Sequence, residues 1–487
     1  MEAGGFVIIS GMSFGDEGKI KESYGIMNSK SLFEMQLLKN NPYPQFDITF
    51  KCNGGANAGG TYYIDGKKCE IHQLPPGLEY KHLQFGIGSG CVVEPIGLTE
   101  EILNLKQIGV SLEGRLNIYG GCPLITPLEL FLDAKSGGKI GTTGKGIGPA
   151  YSKRALRTDG TYQLSISISE YMGDKDFCMK QIKGTLSEFL IMNNTHLKKH
   201  EVDDKIEEFD EAVKFISQYV FDDMLYFQNQ VDSGKNVLII NSNGACLDNH
   251  YGLMPNVTSS RTISSTAPAG ANLNFHNCKG IIGIVKAIDS RVGNGPFVGE
   301  MGGIIAEEMY RKTKGYTGDL DKNGVNPYQL LESNDEALIG RGIRILTGEY
   351  GVTTGRPRAI GYLDLVRLKT MAKISGTTQL FINKIDCLQL FSHTKKNKIP
   401  VITHYRIGDD VTDQLPITNK KIRAVEPVFE YLDTFSSDIT DCKFWDNLPK
   451  QAREFVDFVE EYVGIPVAGI GTGPANEQLL FNSKYYK

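Results

Sequence analysis

A glycine-rich loop near the start of the sequence constrains the fold more than any other feature. An apolar run over residues 6–10 predicts a short strand, and the segment GMSFGDEGKIK (11–21) follows it. Glycines in such a loop let backbone N–H groups close around phosphate oxygens, and the N-terminus of a following helix adds a favourable dipole. The order of strand, glycine loop, Lys19 and helix-compatible sequence therefore indicates a nucleotide-binding α/β protein.

This loop differs from the usual phosphate-binding motif. The pattern G-x-x-x-x-G-K-[ST] would require glycine at Ser13 and a magnesium-ligating hydroxyl at Ile20. Asp16 is then the nearest candidate for a magnesium ligand or a general base.

Short apolar runs recur along the chain and predict strands that are buried on both faces. They lie at 6–9, 48–50, 237–240, 281–285 and 380–382. Helical periodicity predicts an amphipathic helix over 203–230 and further helices over 100–108, 301–313 and 450–462. We therefore expect one α/β domain over residues 1–487, with a large, mostly parallel central sheet flanked by helices. The polar stretch 312–338 is interpreted as a surface insertion.

The composition argues against several classes of protein. A net charge of −5 over 487 residues favours neither nucleic acid nor an acidic membrane as a partner. The nine cysteines are scattered without a C-x-x-C pair, which is typical of a reduced intracellular protein rather than a disulfide or zinc framework. No apolar run approaches the roughly 18 residues of a membrane span, and no basic leader precedes the first strand. We expect a cytoplasmic location.

Four further segments, three of them glycine-containing, carry hydroxyl, amide or basic side chains. They are NGGANAGGT (53–61), GTTGKGIGPAY (141–151), PNVTSSRT (255–262) and GVTTGRPR (351–358). Hydroxyls beside basic residues suit phosphate, whereas the arginines of the last loop present planar forks that suit a small carboxylate. Each loop by itself could be an ordinary turn, so the interpretation depends on whether the loops meet.

Two segments indicate which base the nucleotide carries. NKID (383–386) follows a buried strand, and an aspartate there can accept the ring N–H and the exocyclic amine of guanine while the lysine stem packs on the base. GIGTGP (469–474) would complete such a pocket with backbone groups. Together with the glycine-rich loop in the segment 11–21, hereafter the phosphate loop, these segments favour GTP over ATP.

Taken in order, these segments resemble the adenylosuccinate synthetase family from residue 6 to about residue 480. The resemblance rests on GDEGK, GGxNAGxT, IHxLPxG (71–77), CPL (122–124), IGTTGKGIGPAY, VTSS, RVGxGPF (291–297), TTGRPR with GYLD, and GTGP. It implies a P-loop-like, GTP-binding ligase fold with Mg²⁺ as cofactor and GTP as co-substrate. The implied reaction joins L-aspartate to the 6-position of IMP through a 6-phosphoryl intermediate.

The resemblance also implies roles for the residues that match its motifs. Asp16 and Lys19 would be catalytic, with Asp16 taking the neighbouring ring proton and ligating magnesium together with the Gly59 carbonyl. The other implied roles are GTP binding by Gly15, Glu17, Gly18, Lys19, Lys384, Asp386, Gly471 and Gly473, substrate-nucleotide binding by Asn57, Thr143, Arg157, Asn243, Thr258 and Arg356, and aspartate binding by Thr354, Arg356 and Arg358. Arg157 is expected to reach the substrate phosphate from a second subunit, which implies a homodimer.

The sequence departs from the family pattern in the centre of this site. The family loop reads GGHNAGHT, and its second histidine serves as an acid or donor, but Ala56 and Gly60 take the two histidine positions here. Asn243 takes the place of a longer glutamine. His72 and His250 are the histidines near in sequence that could replace the missing one.

Three functions remain open on the sequence. The first is a ligase that acts on IMP. The second is a ligase whose enlarged base pocket takes GMP or dGMP and gives a 2-amino product. The third is a nucleotide-binding pseudoenzyme with a regulatory role. Gly60 and Asn243 remove side-chain volume beside the base, which motivates the second function. The residues that the resemblance assigns to phosphate and aspartate binding are retained, which argues against the third function. Replacing Gly60 by histidine is expected to raise IMP turnover if the pocket is otherwise intact.

Overall fold

The computed structural model describes residues 4–29, 43–57, 59–64, 67–136, 143–193, 199–311, 316–351 and 355–486. Within these ranges the strands form a ten-stranded sheet, a five-stranded sheet and a two-stranded hairpin. In chain order the strands are β1 (Phe6–Gly11), β2 (Ile48–Lys51), β3 (Gly60–Ile64), β4 (Lys67–Ile71), β5 (Gln84–Ile87), β6 (Leu116–Tyr119), β7 (Val220–Phe221), β8 (Val237–Gly244), β9 (Cys278–Lys286), β10 (Ile288–Arg291), β11 (Ala359–Asp364), β12 (Gln379–Asn383), β13 (Lys398–Ile407), β14 (Asp410–Thr412), β15 (Glu426–Asp433), β16 (Val467–Gly471) and β17 (Leu479–Phe481).

The large sheet runs in the order β17-β16-β12-β9-β1-β8-β2-β5-β6-β7. Its neighbouring strands are parallel except for β16 and β17. β1 lies between β8 and β9, and all six of its residues are buried, which explains why its sequence is almost wholly apolar. The five apolar runs predicted as strands all belong to this sheet, so the predicted α/β class with a mostly parallel central sheet is confirmed.

Parallel order places several loops together. The carboxyl ends of parallel strands meet at one edge of a sheet, and ligands of open α/β sheets bind beyond that edge. β1, β2, β8 and β12 lead there into the phosphate loop, the 53–59 loop, the 245–262 segment and the NKID turn.

Helices pack around the sheets. They are α1 (Lys19–Met27), α2 (Pro95–Gln107), α3 (Pro127–Ser136), α4 (Ile147–Leu156), α5 (Ile168–Gly173), α6 (Lys175–Met192), α7 (Lys199–Ile216), α8 (Tyr226–Asp232), α9 (Ala267–Gly270), α10 (Gly303–Ala306), α11 (Gly318–Lys322), α12 (Pro327–Leu331), α13 (Glu336–Thr347), α14 (Leu365–Ser375), α15 (Asn419–Ala424), α16 (Lys450–Val463) and α17 (Ser483–Tyr486). Across the described ranges, no helix has the length and apolar character needed to span a bilayer.

Two of the helices predicted from sequence have different bounds. The helix expected over 203–230 ends at Ile216, because Val220 and Phe221 leave the helix to pair with β6 as strand β7. The helix expected over 301–313 is a four-residue α10 followed by a π-helical turn over Glu307–Arg311. The predictions over 100–108 and 450–462 are confirmed by α2 and α16.

The five-stranded sheet consists of β10, β11, β13 and β14, with β15 paired to β13. β10 follows β9 after a single residue, Ala287, and pairs antiparallel with β11. β11 begins directly after Arg358, so this sheet brings the end of the GVTTGRPR loop back toward the carboxyl edge of the central sheet.

The polar stretch 312–338 falls partly in the described ranges. Residues 318–322 and 327–331 form the short helices α11 and α12. The buried carboxylate of Asp321 accepts hydrogen bonds from Nε and Nη2 of Arg344, both at 2.8 Å, which ties the stretch to α13. That it is an insertion stays a prediction.

One buried carboxyl makes the stability of the fold depend on pH. Burial raises the pKa of Glu22, in α1, from 4.5 to about 7, although the neighbouring Lys21 and Asn383 oppose the shift. Because the folded-state pKa is the higher one, the unfolded chain ionises first as the pH rises, and stability falls between about pH 4.5 and 7.

We therefore expect Glu22→Gln to gain stability over the parent protein as the pH rises. The difference in the free energy of unfolding should grow by about 2–3 kcal/mol between pH 5 and pH 8, since one pKa unit corresponds to about 1.4 kcal/mol. Urea denaturation at several pH values measures it. Glu100→Gln, at an exposed glutamate on α2, is the control, and parallel pH curves for Glu22→Gln and the parent would refute the assignment.

Candidate active site

A single cleft of roughly 1700 Å³ collects the glycine-rich loops at the carboxyl edge of the central sheet. It receives residues from the phosphate loop, the 53–60 loop, the 143–153 segment, the 256–259 segment and both sides of the GVTTGRPR loop. The predicted site residues that line it are Gly15, Asp16, Gly18, Lys19, Asn57, Gly59, Thr143, Asn243, Thr258 and Arg358.

The phosphate loop is held from inside by Glu17. The Glu17 carboxylate is buried and accepts hydrogen bonds from the backbone N–H groups of Ser13 and Gly15, at 3.1 and 2.8 Å. It also pairs with Nζ of Lys19 at 3.0 Å, and the same ammonium donates to the Asn243 carbonyl at 2.6 Å. The Glu17 side chain therefore shapes the loop, and only its backbone remains to meet a ligand.

Asp16 points from the loop toward the cleft. Its φ of 56° is rare for a residue other than glycine, and such backbone strain is typical of functional sites. The carboxylate is 46% exposed, and its Oδ2 lies 2.6 Å from Nη2 of Arg358. The GDEGK and GVTTGRPR loops therefore meet in a direct ion pair.

Behind that ion pair lies a buried cluster that the sequence did not reveal. Glu349 accepts hydrogen bonds from Arg358 Nη1 at 2.6 Å and Lys286 Nζ at 3.1 Å, and its Oε1 lies 2.6 Å from Lys384 Nζ. Burial alone would raise the pKa of the Glu349 carboxyl, but these three cations hold it well below its usual range. Of these three cations Arg358 lines the cleft, where its guanidinium contacts both Asp16 and Glu349.

The cleft is also lined by hydroxyl and amide groups. Asn57 Nδ2 donates to Thr258 Oγ1 at 3.3 Å, which joins the 53–60 loop to the 255–262 segment. Asn243 stands at φ 60° at the end of β8. Its Nδ2 is buried, and it has no hydrogen-bond partner among the described residues. A buried donor without a partner beside a cleft is suited to a ligand oxygen.

The NKID turn (383–386) lies next to the phosphate loop. Asn383 Nδ2 donates to the backbone carbonyl of Glu17 at 2.7 Å, and Lys21 Nζ donates to the carbonyl of Gly473 at 2.6 Å. Lys21 was missed in the sequence analysis; its position two residues after Lys19 was the available signal. Burial raises the pKa of Asp386.

Several predicted residues do not line the cleft. Arg157 directly follows the last residue of α4 and Arg356 precedes β11, and both are exposed. The remaining ones that lie outside the lining are Glu17, Lys384, Asp386, Gly471 and Gly473, although Pro474 and Asn476 beside the last of these do line it. Thr354 falls outside the described residues. The individual ligand roles of all these residues stay predictions.

The two histidines suggested as replacements differ in position. β3 pairs with β4 so that Gly60 is opposite Ile71, which puts His72 beside Gly59. His72 lines the cleft, and a Cβ added to Gly59 would lie 2.7 Å from its Nε2. His250 is exposed and does not line the cleft. Sequence separation alone could not distinguish them.

The space beside Gly60 is filled by Ile20. A Cβ added to Gly60 would meet the terminal methyl group of Ile20, which also lines the cleft. The volume that the sequence analysis expected to be open at Gly60 is therefore partly occupied by an apolar side chain from α1.

The oxygen donors of Asp16 and Gly59 suit magnesium. No group of three or more His, Cys, Asp or Glu side chains that could hold a metal occurs among the described residues. Asp16 and Gly59 line the cleft together and offer carboxylate and carbonyl oxygens. Magnesium is commonly held by one or two carboxylates and the phosphates of its substrate, so these residues suit it.

Comparison with known proteins agrees with these motifs. The family described as adenylosuccinate synthetase matches residues 8–480. The adenylosuccinate synthetase of Geobacillus kaustophilus is 32% identical over 483 residues, covering 97% of each chain. That of Bdellovibrio bacteriovorus is 32% identical over 484 residues, covering 98% of each.

Solved structures show the same fold. The fully ligated adenylosuccinate synthetase of Plasmodium falciparum superposes with a TM-score of 0.78 at 26% identity, over 98% of this chain and 100% of that chain. The succinoaminodeoxyadenylate synthetase of cyanophage S-2L, bound to dGMP and dATP, gives 0.56 at 15% identity, over 99% and 96%. The second likeness concerns the fold alone. The chain belongs to the adenylosuccinate synthetase family, whose members are ligases that form a C–N bond at the expense of GTP.

Proposed function

We propose that this protein uses GTP to join L-aspartate to the 6-position of a 6-oxopurine nucleoside monophosphate, with IMP giving adenylosuccinate. One observation carries the proposal: five segments that bear glycines or hydroxyl groups, far apart in sequence, line a single cleft. The ion pair between Asp16 and Arg358 supports it further, because it joins the loop assigned to phosphate with the loop assigned to aspartate.

In the first step, the chain holds the triphosphate of GTP and accepts one proton from the purine. Lys19 and the phosphate-loop backbone hold the triphosphate of GTP, while Asp16 accepts the proton from ring N1 of the purine. The γ-phosphoryl group passes to the 6-oxo oxygen, and GDP remains. The buried Asn243 amide supports this step, since it can donate to the oxygen that receives the phosphoryl group.

In the second step, aspartate displaces the phosphate. The amine attacks C6 and gives up one proton, and inorganic phosphate leaves with that proton and with the oxygen that was activated. Arg358, with Arg356, would hold the aspartate carboxylates, and the place of the Arg358 guanidinium in the lining of the cleft supports this assignment. When bound at Asp16 and Gly59, Mg²⁺ would supply positive charge to the phosphate oxygens.

An assay of phosphate release tests the proposal. Purified protein receives GTP, magnesium, aspartate and one of IMP, GMP or dGMP, and product mass identifies the compound formed. We expect turnover with IMP. Turnover with GMP or dGMP but not with IMP would show that the substrate is a 2-amino purine nucleotide and not IMP. GTP binding without phosphate release from any monophosphate would leave a regulatory nucleotide-binding protein.

The Gly60 position offers a gain-of-function test. Histidine at Gly60 must displace the methyl group of Ile20, so Gly60→His alone should raise IMP turnover only slightly. The double variant Ile20→Ala/Gly60→His is expected to raise kcat with IMP by about 10²-fold, as a positioned donor typically does. Ile20→Ala alone is the control. A double variant no faster than this control would contradict the expectation.

We also propose a cytoplasmic homodimer. Arg157 directly follows α4 in an exposed position beside Leu156, which is 60% exposed, and both could meet a second subunit. Light scattering should give the mass of two chains. Arg157→Ala should raise the KM for the monophosphate without changing the KM for GTP, and equal effects on both would count against a substrate-phosphate role.

A further inference from the structure

Ser13 of the phosphate loop is anchored by Asp289 and Arg367, two residues that do not line the cleft. Ser13 Oγ donates to Oδ1 of Asp289 at 2.8 Å, and Asp289 Oδ2 accepts from Nη2 of Arg367. Asp289 belongs to β10 and Arg367 to α14, so the anchor comes from the five-stranded sheet and the helix that follows it. Ser13, Asp289 and Arg367 are all buried.

The next residue of the loop, Phe14, contacts two guanidinium groups. Its ring centroid lies 4.6 Å from Arg291 Cζ and 4.8 Å from Arg367 Cζ. The ring of Phe297 packs against it with centroids 5.3 Å apart. Cation–π contacts of desolvated arginines are among the stronger ones, so the ring has little freedom to move.

The network continues away from the loop. Nη1 of Arg367 lies 3.8 Å from Asp364, which in turn accepts a hydrogen bond from the hydroxyl of Tyr405 at 2.6 Å. Burial opposes the charge of Arg367, but Asp289 and Asp364 raise its pKa, so the guanidinium stays charged. Tyr405 thus belongs to the same buried network without touching the phosphate loop.

Stability alone does not account for such an arrangement. A buried ion pair can often be replaced by apolar side chains with little loss of stability, so its presence is weak evidence of a stabilising role. This pair is distinguished by where it acts, because it reaches both residues that precede Gly15 and Asp16 in the loop. A displacement of about 1 Å in a positioning element can cost about 10²-fold in rate.

We propose that Asp289 and Arg367 are positioning residues that hold Ser13 and Phe14, and with them the phosphate loop, in the conformation that receives a nucleoside triphosphate. They act through the loop and do not touch the ligand. The inference rests on the proposed function only in naming GTP as that ligand.

Two variants separate the parts of the anchor. Asp289→Asn keeps an acceptor for Ser13 but removes the charge that pairs with Arg367. Ser13→Ala keeps the buried ion pair and removes its hydrogen bond to the loop. Tyr405→Phe is the matched control, because it breaks a buried hydrogen bond of the same network at the far end.

The readouts are the KM for GTP and for aspartate, kcat, the affinity for a fluorescent GTP analogue, and hydrogen exchange of residues 12–18 without nucleotide. We expect Asp289→Asn and Ser13→Ala to raise the KM for GTP about 10-fold or more, to weaken the analogue equally, and to speed hydrogen exchange in the loop. The KM for aspartate should stay within about twofold. Tyr405→Phe should lower Tm without changing any of the GTP readouts.

Unchanged GTP affinity and loop exchange in Ser13→Ala and Asp289→Asn would overturn the proposal. So would a Tyr405→Phe variant whose GTP readouts change as much as theirs, since the network would then be merely structural. Ser13→Ala keeps the test decisive if Asp289→Asn fails to fold. If the parent protein turns over no monophosphate, the proposed function fails, while the exchange and affinity measurements still decide the positioning role.

Discussion

Asp16→Asn is expected to lower monophosphate-dependent phosphate release toward the upper end of the roughly 10²–10⁴-fold range typical of a lost general base. Asparagine keeps the size of the side chain but cannot accept the ring proton. The fold should persist, because the carboxylate is 46% exposed and Arg358 keeps its 2.6 Å contact with Glu349. Steady-state phosphate release with IMP, GTP and aspartate measures the effect.

The control for Asp16→Asn is the same change at an exposed carboxylate outside the cleft. Asp433→Asn removes a surface contact to Lys398 and should leave kcat unchanged. GTP affinity should fall far less than kcat in Asp16→Asn. An Asp16→Asn protein that retains more than a tenth of the parent kcat would exclude Asp16 as the base.

Glu349→Gln is expected to reduce the free energy of unfolding by about 3–5 kcal/mol, the usual cost of leaving buried charges unpaired. Three cations depend on this carboxylate, and two of them, Lys286 and Arg358, are themselves buried. Burial already lowers the pKa of Lys286, so without Glu349 this lysine should be the first to lose its proton. Urea denaturation at pH 7 measures the loss.

Two comparisons make the Glu349 result specific. Glu430→Gln on β15 changes an exposed glutamate and should shift stability by less than about 0.5 kcal/mol. The loss in Glu349→Gln should shrink as the pH rises toward 10, because neutral Lys286 no longer needs a counter-charge. A loss below about 1 kcal/mol at pH 7 would show that the cluster is solvated rather than dependent on Glu349.

The sequence predicted the central sheet well and some of the helices poorly. The apolar runs at 6–9 and 237–240 form parallel strands that are buried on both faces. Such strands have almost wholly apolar sequences, so they can be predicted from composition. The prediction that the 203–230 helix continues beyond Ile216 was wrong, because Val220 and Phe221 pair with the edge of β6 as strand β7. That edge comes from a segment about 100 residues earlier, which no local pattern can report.

For the candidate site, the loops could be predicted and their contacts could not. Asp16, Lys19 and Arg358 lie in motifs with glycines and basic residues, so their chemistry can be predicted from the sequence. Glu349 stands in no motif, and its importance arises only because Lys286, Lys384 and Arg358 converge on it. Likewise, the sequence predicts only that Ile20 lies in a helix. The structure places its methyl group in the space beside Gly60.

The sequence by itself determined the α/β class, the phosphate loop and the family, because these depend on burial patterns and on short motifs whose chemistry is local. Only the tertiary structure decided which side chains share a charge, which histidine reaches the cleft, and what holds the loop from behind. Those outcomes depend on contacts such as Ser13 with Asp289, 276 residues apart, where distance in space is unrelated to distance in sequence.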